Sequence, residues 1–522
     1  MTSFNGNFTF NKGVLTNGAQ LPGQDYISAM LFFGTAPGAF PTSGVKQMFS
    51  VQDAISVGIT PNHTDETAAV GTYLVTNGAS GVGDTIAIYV QEPINPLNQN
   101  ANPNKVLLAL YTTVAGDTTI TTLVPNIVAA INANAAGNGG YVATSTVTNT
   151  TVSIAARPGL GIFLNSGTPI SVVITGATIT GTITQFSAGV ASKLDTFYYH
   201  ISEYFRMNPN GNLFVGLFSV PSTYNFNEVQ TIQTFANGVV RQIGVYSNVR
   251  TIVSNGIADA NALNTICQTL DTNKMPLSAI LVEDISAVSD LTTLPNLALL
   301  NDEWVSINLS QDGAAQGWNL YQATGKTVGN LGALLGAVSV GSVSSCVAQP
   351  IAQNNITDGV ENQLPALGNN TTFKALSTGL QTLLTNYRYI YTGTYVGYTG
   401  TYFSGSHTAI ISNSNYAYIE QNRVEAKIER LMYQAYLPYL NSQLQLNSDG
   451  TLTTQLVAAL QSIGNNTLNT NMVAVGELSA VNTVINPNQN VTATGKLVVT
   501  LYEVNNPIAR NIEVDVNSVT SI

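Results

Sequence analysis

From residue 60 to about residue 190, charge almost disappears from the chain and Thr, Val, Ile and Gly dominate. Short β-branched runs follow one another there: Thr85-Ile86-Ala87-Ile88-Tyr89-Val90, Thr146-Val147-Thr148, Val152-Ser153-Ile154, Val172-Val173-Ile174 and Thr178-Ile179-Thr180. Branched side chains suit a pleated, half-buried surface, and Gly/Asn turns between such short runs predict a β-rich domain. One helix interrupts it near Leu123 to Ala135, where Ile127, Val128 and Ile131 fall at helical spacing. That domain accounts for only part of the 522 residues, a length that at roughly 150 residues per domain suggests about three to four domains or subdomains.

The flanking sequence has a different period. Ser28-Ala29-Met30-Leu31-Phe32-Phe33, stopped by Gly34, reads as a buried strand entering a loop. From about residue 195, helices and strands alternate. A helix over Thr196–Met207 precedes a strand at Leu213–Phe218, and one near Glu228–Asn237 precedes a strand at Ile243–Val253. A helix from Asp259, read as its N-cap, to about Leu270 precedes Ala279–Glu283, and Trp304–Leu309 adds a further strand. Alternation of this kind implies a sheet covered by helices. The expected fold class is therefore mixed α/β and β, multidomain, with an α/β core, an inserted β-rich domain and extended arms at both ends. The boundaries read as an N-terminal arm at 1–25, core at 26–59, insertion at 60–190, core again at 191–504, and a C-terminal β arm at 505–522.

Charged residues are only 9% of the chain, where about 25% is typical, while the hydrophobic fraction is an ordinary 44%. That balance opposes disorder, which needs the reverse. With 17 Lys and Arg against 28 Asp and Glu, the net charge is -11, which speaks against nucleic acid as a main partner. Cys267 and Cys346 allow at most one bridge and read as small buried hydrophobes. Met1 to Gly6 show neither a basic nor an apolar leader region, so Sec export is not expected. The best membrane candidate, Val328 to Val347, carries Asn, Ser and several Gly. Its Gly332-x-x-x-Gly336 spacing predicts a helix packed closely on another, and no membrane insertion is expected.

Chemistry is sparse. His63, His200 and His407 are the only histidines, and none has a second His or a Cys nearby in sequence. Gly325-Lys326-Thr327 resembles the end of a phosphate loop, but Leu320 stands where that loop requires Gly. Ala337-Val338-Ser339-Val340-Gly341 lies in the small-residue run and reads as packing rather than a nucleophile elbow. Asn447-Ser448-Asp449-Gly450 has too few carboxylates for a calcium loop and reads as a turn. Paired carboxylates for glycoside chemistry meet in space, so the sequence leaves them open. No catalytic, cofactor-binding or metal-ligating residue is expected, and the chain is not read as an enzyme.

The strongest helix pattern is Tyr416–Leu444. Val424, Ile428, Leu431, Ala435, Tyr436 and Tyr439 mark one face, and Glu420, Arg423, Lys427, Arg430 and Gln434 the other. The charged face is read either as solvated or as a polar interface. At the C-terminus, Lys496–Val504 and Arg510–Val519 have β patterning, the second setting Ile512, Val514 and Val516 against Asn511, Glu513, Asp515 and Asn517. Such a terminal strand can pair at home or with another chain.

Met30-Leu31-Phe32-Phe33-Gly34-Thr35-Ala36-Pro37-Gly38-Ala39-Phe40-Pro41, followed by Val45 to Asp53 with its Ser50-Val51-Gln52-Asp53 step, resembles the early region of contractile-tail sheath proteins. The order of modules is similar too, as is Tyr418–Leu452 to the C-terminal region of phage sheath proteins. The inserted domain has no counterpart in the resemblance. It implies a structural subunit of a phage tail or related injection system, located in the virion and assembled in the host cytoplasm. Such subunits stack as six-subunit rings around an inner tube and meet a baseplate and a terminator at the ends. Their terminal arms add strands to neighbours' sheets, here through Ile512, Val514 and Val516, with Gly6–Gly23 and Asn505-Asn506 as hinges. Glu420, Arg423, Lys427 and Arg430 become the candidate tube-facing group. The alternative is a non-contractile virion or surface adhesin with a β-rich binding domain.

Overall fold

The computed structural model describes residues 24–78, 82–97, 104–176, 178–516 and 518. All but the last two residues of the expected N-terminal arm, with its Gly6–Gly23 connector, lie outside the described residues. The core opens with β1 (Ile27–Phe33), β2 (Val45–Met48) and α1 (Val51–Ser56). The inserted unit follows, with β3 (Val70–Asn77), β4 (Thr85–Gln91), β5 (Lys105–Thr112), α2 (Ile120–Ala133), β6 (Val142–Ser145), β7 (Thr151–Ala155), β8 (Ile170–Thr175) and β9 (Thr180–Ser187). Alternation then resumes through α3 (Lys193–Met207), β10 (Asn212–Phe218), α4 (Asn227–Phe235), β11 (Gln242–Thr251), α5 (Ile252–Thr272) and β12 (Ser278–Asp284). Short elements come next: β13 (Asn301–Asp302), β14 (Val305–Ile307), β15 (Ser310–Asp312), α6 (Gln316–Thr324), α7 (Leu331–Val340), β16 (Pro365–Leu367), α8 (Thr378–Asn386), β17 (Thr392–Tyr395), β18 (Tyr398–Phe403) and β19 (Ala409–Ile410). The C-terminal part holds α9 (Ile419–Tyr436), α10 (Thr454–Leu468), β20 (Leu478–Val484), α11 (Val491–Thr494) and β21 (Thr500–Asn505).

The core sheet runs β14-β12-β11-β1-β10-β2. It is parallel except for β2, which pairs antiparallel with β10. Helices cover both faces, so β1 is buried at all its positions and reads as an unbroken apolar run. Ala29, Leu31 and Phe33 join a core with Val229 of α4 and Leu263 of α5. Met30 and Phe32 join Phe197 of α3 and Leu334 of α7 on the other face.

The glycine spacing in α7 has the expected consequence. A Cβ on Gly336 would lie 2.8 Å from the Tyr204 carbonyl oxygen and 2.7 Å from the Met207 Cβ, and one on Gly332 would collide with the His200 carbonyl. Helices α3 and α7 thus touch backbone to backbone. Among the described residues, no helix is long and apolar enough to cross a membrane.

In the inserted unit, the antiparallel sheets β6-β7-β3-β9 and β5-β4-β8 share one apolar core with α2, built on Tyr73, Ile88, Ile127, Val152 and Phe186. Carboxylates tie the inserted unit together and to the core. Within the unit Glu66 accepts from Gly159 N (2.7 Å) and Gly161 N (2.9 Å), and across its boundary Asp65 accepts from Lys193 N (3.0 Å). Asp195 accepts from His63 N (3.0 Å) and also contacts the His63 ring.

Three local expectations are corrected. Thr146-Val147-Thr148 belongs to the connection between β6 and β7, where Asn149 takes a left-handed φ of 50°. Asn tolerates that conformation and closes the hairpin, overriding the β propensity of its neighbours. Asp259 is not an N-cap, because α5 starts seven residues earlier at Ile252. Asp259 is buried in the helix interior and binds Arg250 at 2.6 and 2.8 Å. Residues 511–516 form no strand.

Replacing Gly332 by Ala will lower the urea midpoint. Overpacking costs about 1–3 kcal/mol, which outweighs the ~1 kcal/mol that Ala gains over Gly in a helix. A raised midpoint would contradict the close α3–α7 approach.

Candidate assembly site at the roots of the terminal segments

Helix α9 is enclosed on several sides. Val424, Ile428 and Leu431 pack with Leu468, Met472 and Leu478. The charged stripe at spacings of three and four residues, Glu420, Arg423, Lys427 and Arg430, turns inward rather than to solvent. Glu420 is 3% exposed, and Arg423 and Lys427 are 5%. This corrects the tube-facing assignment, since each of the four spends its charge inside its own chain.

The three cations converge on Asp25, two residues before β1. Lys427 Nζ lies 2.7 Å from Asp25 Oδ2 and 2.7 Å from Glu477 Oε2, and Arg430 Nη2 lies 2.6 Å from Asp25 Oδ1. Arg423 donates to the backbone carbonyls of Asp25 (3.3 Å), Ser342 (3.1 Å) and Gly341 (3.3 Å). Burial alone would raise the Asp25 carboxyl, but Arg430 and Lys427 outweigh it and hold it below its ordinary value. Burial lowers Arg423 to about 10.

The same helix holds the other end of the chain. Arg510 pairs with Glu420 and stacks on the Tyr418 ring, 3.3 Å from its centroid. Asn506 donates to Gly476 O (2.6 Å) and accepts from Ser479 Oγ (2.6 Å). The expected hinge at Asn505-Asn506 is therefore pinned, and the free segment starts after Arg510. Beyond it, Ile512, Val514 and Val516 are 77%, 74% and 88% exposed. Nearby, β20 and β21 form an antiparallel pair that no other described strand joins, with Tyr502 and Val504 exposed.

A third side of α9 is acidic. Burial, followed by repulsion from Glu503 of β21 and contact with it, pushes Glu425 up to about 7. Burial, followed by Asp271 of α5, pushes Glu429 up to about 8. Protonated carboxyls share hydrogen bonds here where ionised ones would repel.

The histidines hold structural positions: His200 and His407 are buried, and His63 contacts Asp195 and Glu66. Gly325 ends α6 in a left-handed conformation and Lys326 pairs with Asp284 at 2.6 Å, so that tripeptide follows a helix instead of opening one. Among the described residues, no group of three or more His, Cys, Asp or Glu is placed to hold a metal ion.

Helix α9, which clamps Asp25 and Arg510, lies within residues 415–522, and these match the family DUF2586, C-terminal domain. No curated protein matches the sequence. Among solved structures, the chain is similar to the helical sheath of the anti-feeding prophage in its contracted state, with TM-score 0.43 and 14% identity over 62% of this chain and 82% of that one. It is similar to the contracted sheath of the extracellular contractile injection system PVC, with TM-score 0.42 and 13% identity over 62% and 81%. For the sheath tail protein of Listeria innocua the TM-score is 0.38 and the identity 10%, over 92% and 94%.

Two predictions follow from α9. Asp25→Ala will destabilise the chain by about 3–5 kcal/mol in chemical denaturation, because it strands buried cations, whereas removing an exposed pair costs about 0–1 kcal/mol. The acidic side predicts a pH trend. Glu425 and Glu429 hold protons more tightly folded than at their ordinary 4.5, so their stabilisation is present below that pH and is lost as pH rises toward about 8. The melting temperature will fall across that window, and Glu429→Gln will flatten the fall.

Proposed function

We propose that this protein is a structural subunit of a contractile tail sheath, polymerising with its own copies as six-subunit rings stacked around an inner tube and contracting to drive that tube through a host envelope. Its partners on this reading are further copies of the chain, the tail tube protein, and the baseplate and terminator at the ends. It resides in the virion tail and carries out no catalysis. The observation that carries the reading is the C-terminal segment beyond Arg510. It alternates Ile512, Val514 and Val516 with Glu513 and Asp515, lies exposed, and leaves the body from a clamped root. An alternating, unpaired strand supplies backbone hydrogen bonds and side-chain anchors to another chain's sheet. The resemblance of Met30–Asp53 and of the module order to sheath proteins supports the same reading.

The two-stranded β20–β21 sheet, with its outer edges unpaired by any described strand, is the proposed acceptor. Each net hydrogen bond contributes only about 1 kcal/mol, yet several per arm across many subunits make a mesh that is hard to dissolve. The clamp lets the body move without pulling the arm root away. Contraction on this reading is release of a kinetically held extended state, with arms paired throughout.

Negative-stain electron microscopy of the concentrated full-length protein will show tubes or stacked rings. A chain ending at Arg510 will remain monomeric with an unchanged melting temperature, since residues 511–516 make no strand in the body. Polymers of equal order from the shortened chain would refute the arm mechanism.

A further inference from the structure

A cavity of about 520 Å³ opens between the inserted unit and the core, walled on one side by α3 and α6 and on the other by the segments around Pro93 and Pro158. Junctions between structural units are frequent ligand sites, and this volume is within the range of small-molecule pockets. The charges that line it are already spent. Glu66 accepts two backbone N–H groups from Gly159 and Gly161, and Asp195 holds His63. Arg157 meets Glu92 through two bonds of 2.6 and 2.8 Å, and the Tyr141 hydroxyl completes that pair at 3.0 Å. Neither a phosphate nor a free cation finds an uncompensated counter-charge here.

The uncharged groups have capacity left. Among the described residues, the half-buried side chains of Gln322 and Tyr198 have no hydrogen-bond partner, and both line the cavity. Two further lining residues, Trp318 and Tyr199, are 5% and 3% exposed, and the indole N–H of one and the hydroxyl of the other are without a partner. Those two buried atoms are closed off from the open volume, so the groups that can reach a bound molecule are the half-buried Gln322 amide and Tyr198 hydroxyl. Aromatic walls with neutral amide and hydroxyl groups suit a molecule that is itself neutral, rich in hydroxyls and apolar on its ring faces.

We propose that this cavity is a binding site for a neutral saccharide of one or two rings, held by Gln322 and Tyr198 against the Trp318 side of the pocket. The site does not depend on the terminal segments and stands whether or not the chain polymerises.

Isothermal titration of the full-length protein with glucose, galactose, N-acetylglucosamine, maltose, lactose and chitobiose tests it, with inorganic phosphate as the charged comparison. At least one sugar will bind with one-to-one stoichiometry and a dissociation constant between about 10 µM and 10 mM, and will shift the tryptophan fluorescence. Gln322→Ala and Tyr198→Phe will each weaken binding about tenfold or more while leaving the melting temperature unchanged. The proposal is overturned if none of the sugars binds, if phosphate binds in their place, or if both folded variants bind as tightly as the parent.

Discussion

Asp25 sits where the chain enters its central strand, between the ammonium of Lys427 and the guanidinium of Arg430, with Arg423 on its carbonyl. A carboxylate buried among cations is stable only while all of them stay in place, since a buried charge without its partner costs several kcal/mol. Helix α9 therefore cannot shift along its axis without disturbing the start of β1. Because β1 lies between β10 and β11, the register of the core sheet and the position of α9 are tied together. The same helix fixes Arg510 through Glu420, so the segments at Asp25 and at Arg510 are both held by one helix.

Buried ion pairs contribute little to net stability compared with well-packed apolar residues, and their stronger effect is on geometry. That suits a helix that holds both Asp25 and Arg510 in place. A purely apolar α9 could slide by a turn and keep most of its contacts, whereas the Lys427 bridge between Asp25 and Glu477 exists in one register. Glu477 precedes β20, so the same bridge also orients the hairpin proposed to accept a neighbour's strand.

The layered core was legible because burial on both faces forces unbroken apolar strands, as in Met30–Phe33, and because Gly332 and Gly336 have no packing role except close approach. The β-rich insertion was legible from its branched runs. Local periodicity failed where a long-range partner decides the outcome. Nothing near Arg423 or Lys427 in sequence shows that Asp25, some four hundred residues away, will neutralise them, so an amphipathic pattern reads as a wet face. Asp259 likewise reads as a cap until Arg250 is seen beside it. The cavity beside Trp318 was invisible for the same reason, since its walls come from segments more than a hundred residues apart.

The scarcity of charge acquires a physical meaning once its placement is known. Arg157, Arg206, Arg250, Lys326, Lys427 and Arg430 all face carboxylates of their own chain. Much of the outer surface is left to uncharged side chains, among them exposed apolar ones such as Leu110, Val147 and Val396. A surface with few cations gives neighbouring copies little charge patterning by which to address one another. On the sheath reading proposed above, specific attachment comes from backbone pairing by the exposed segment after Arg510, because hydrogen-bond register and the alternation of Ile512, Val514 and Val516 discriminate where surface charge cannot. A body whose surfaces hold weakly and whose arms hold firmly is able to re-pack against its neighbours without coming apart from them.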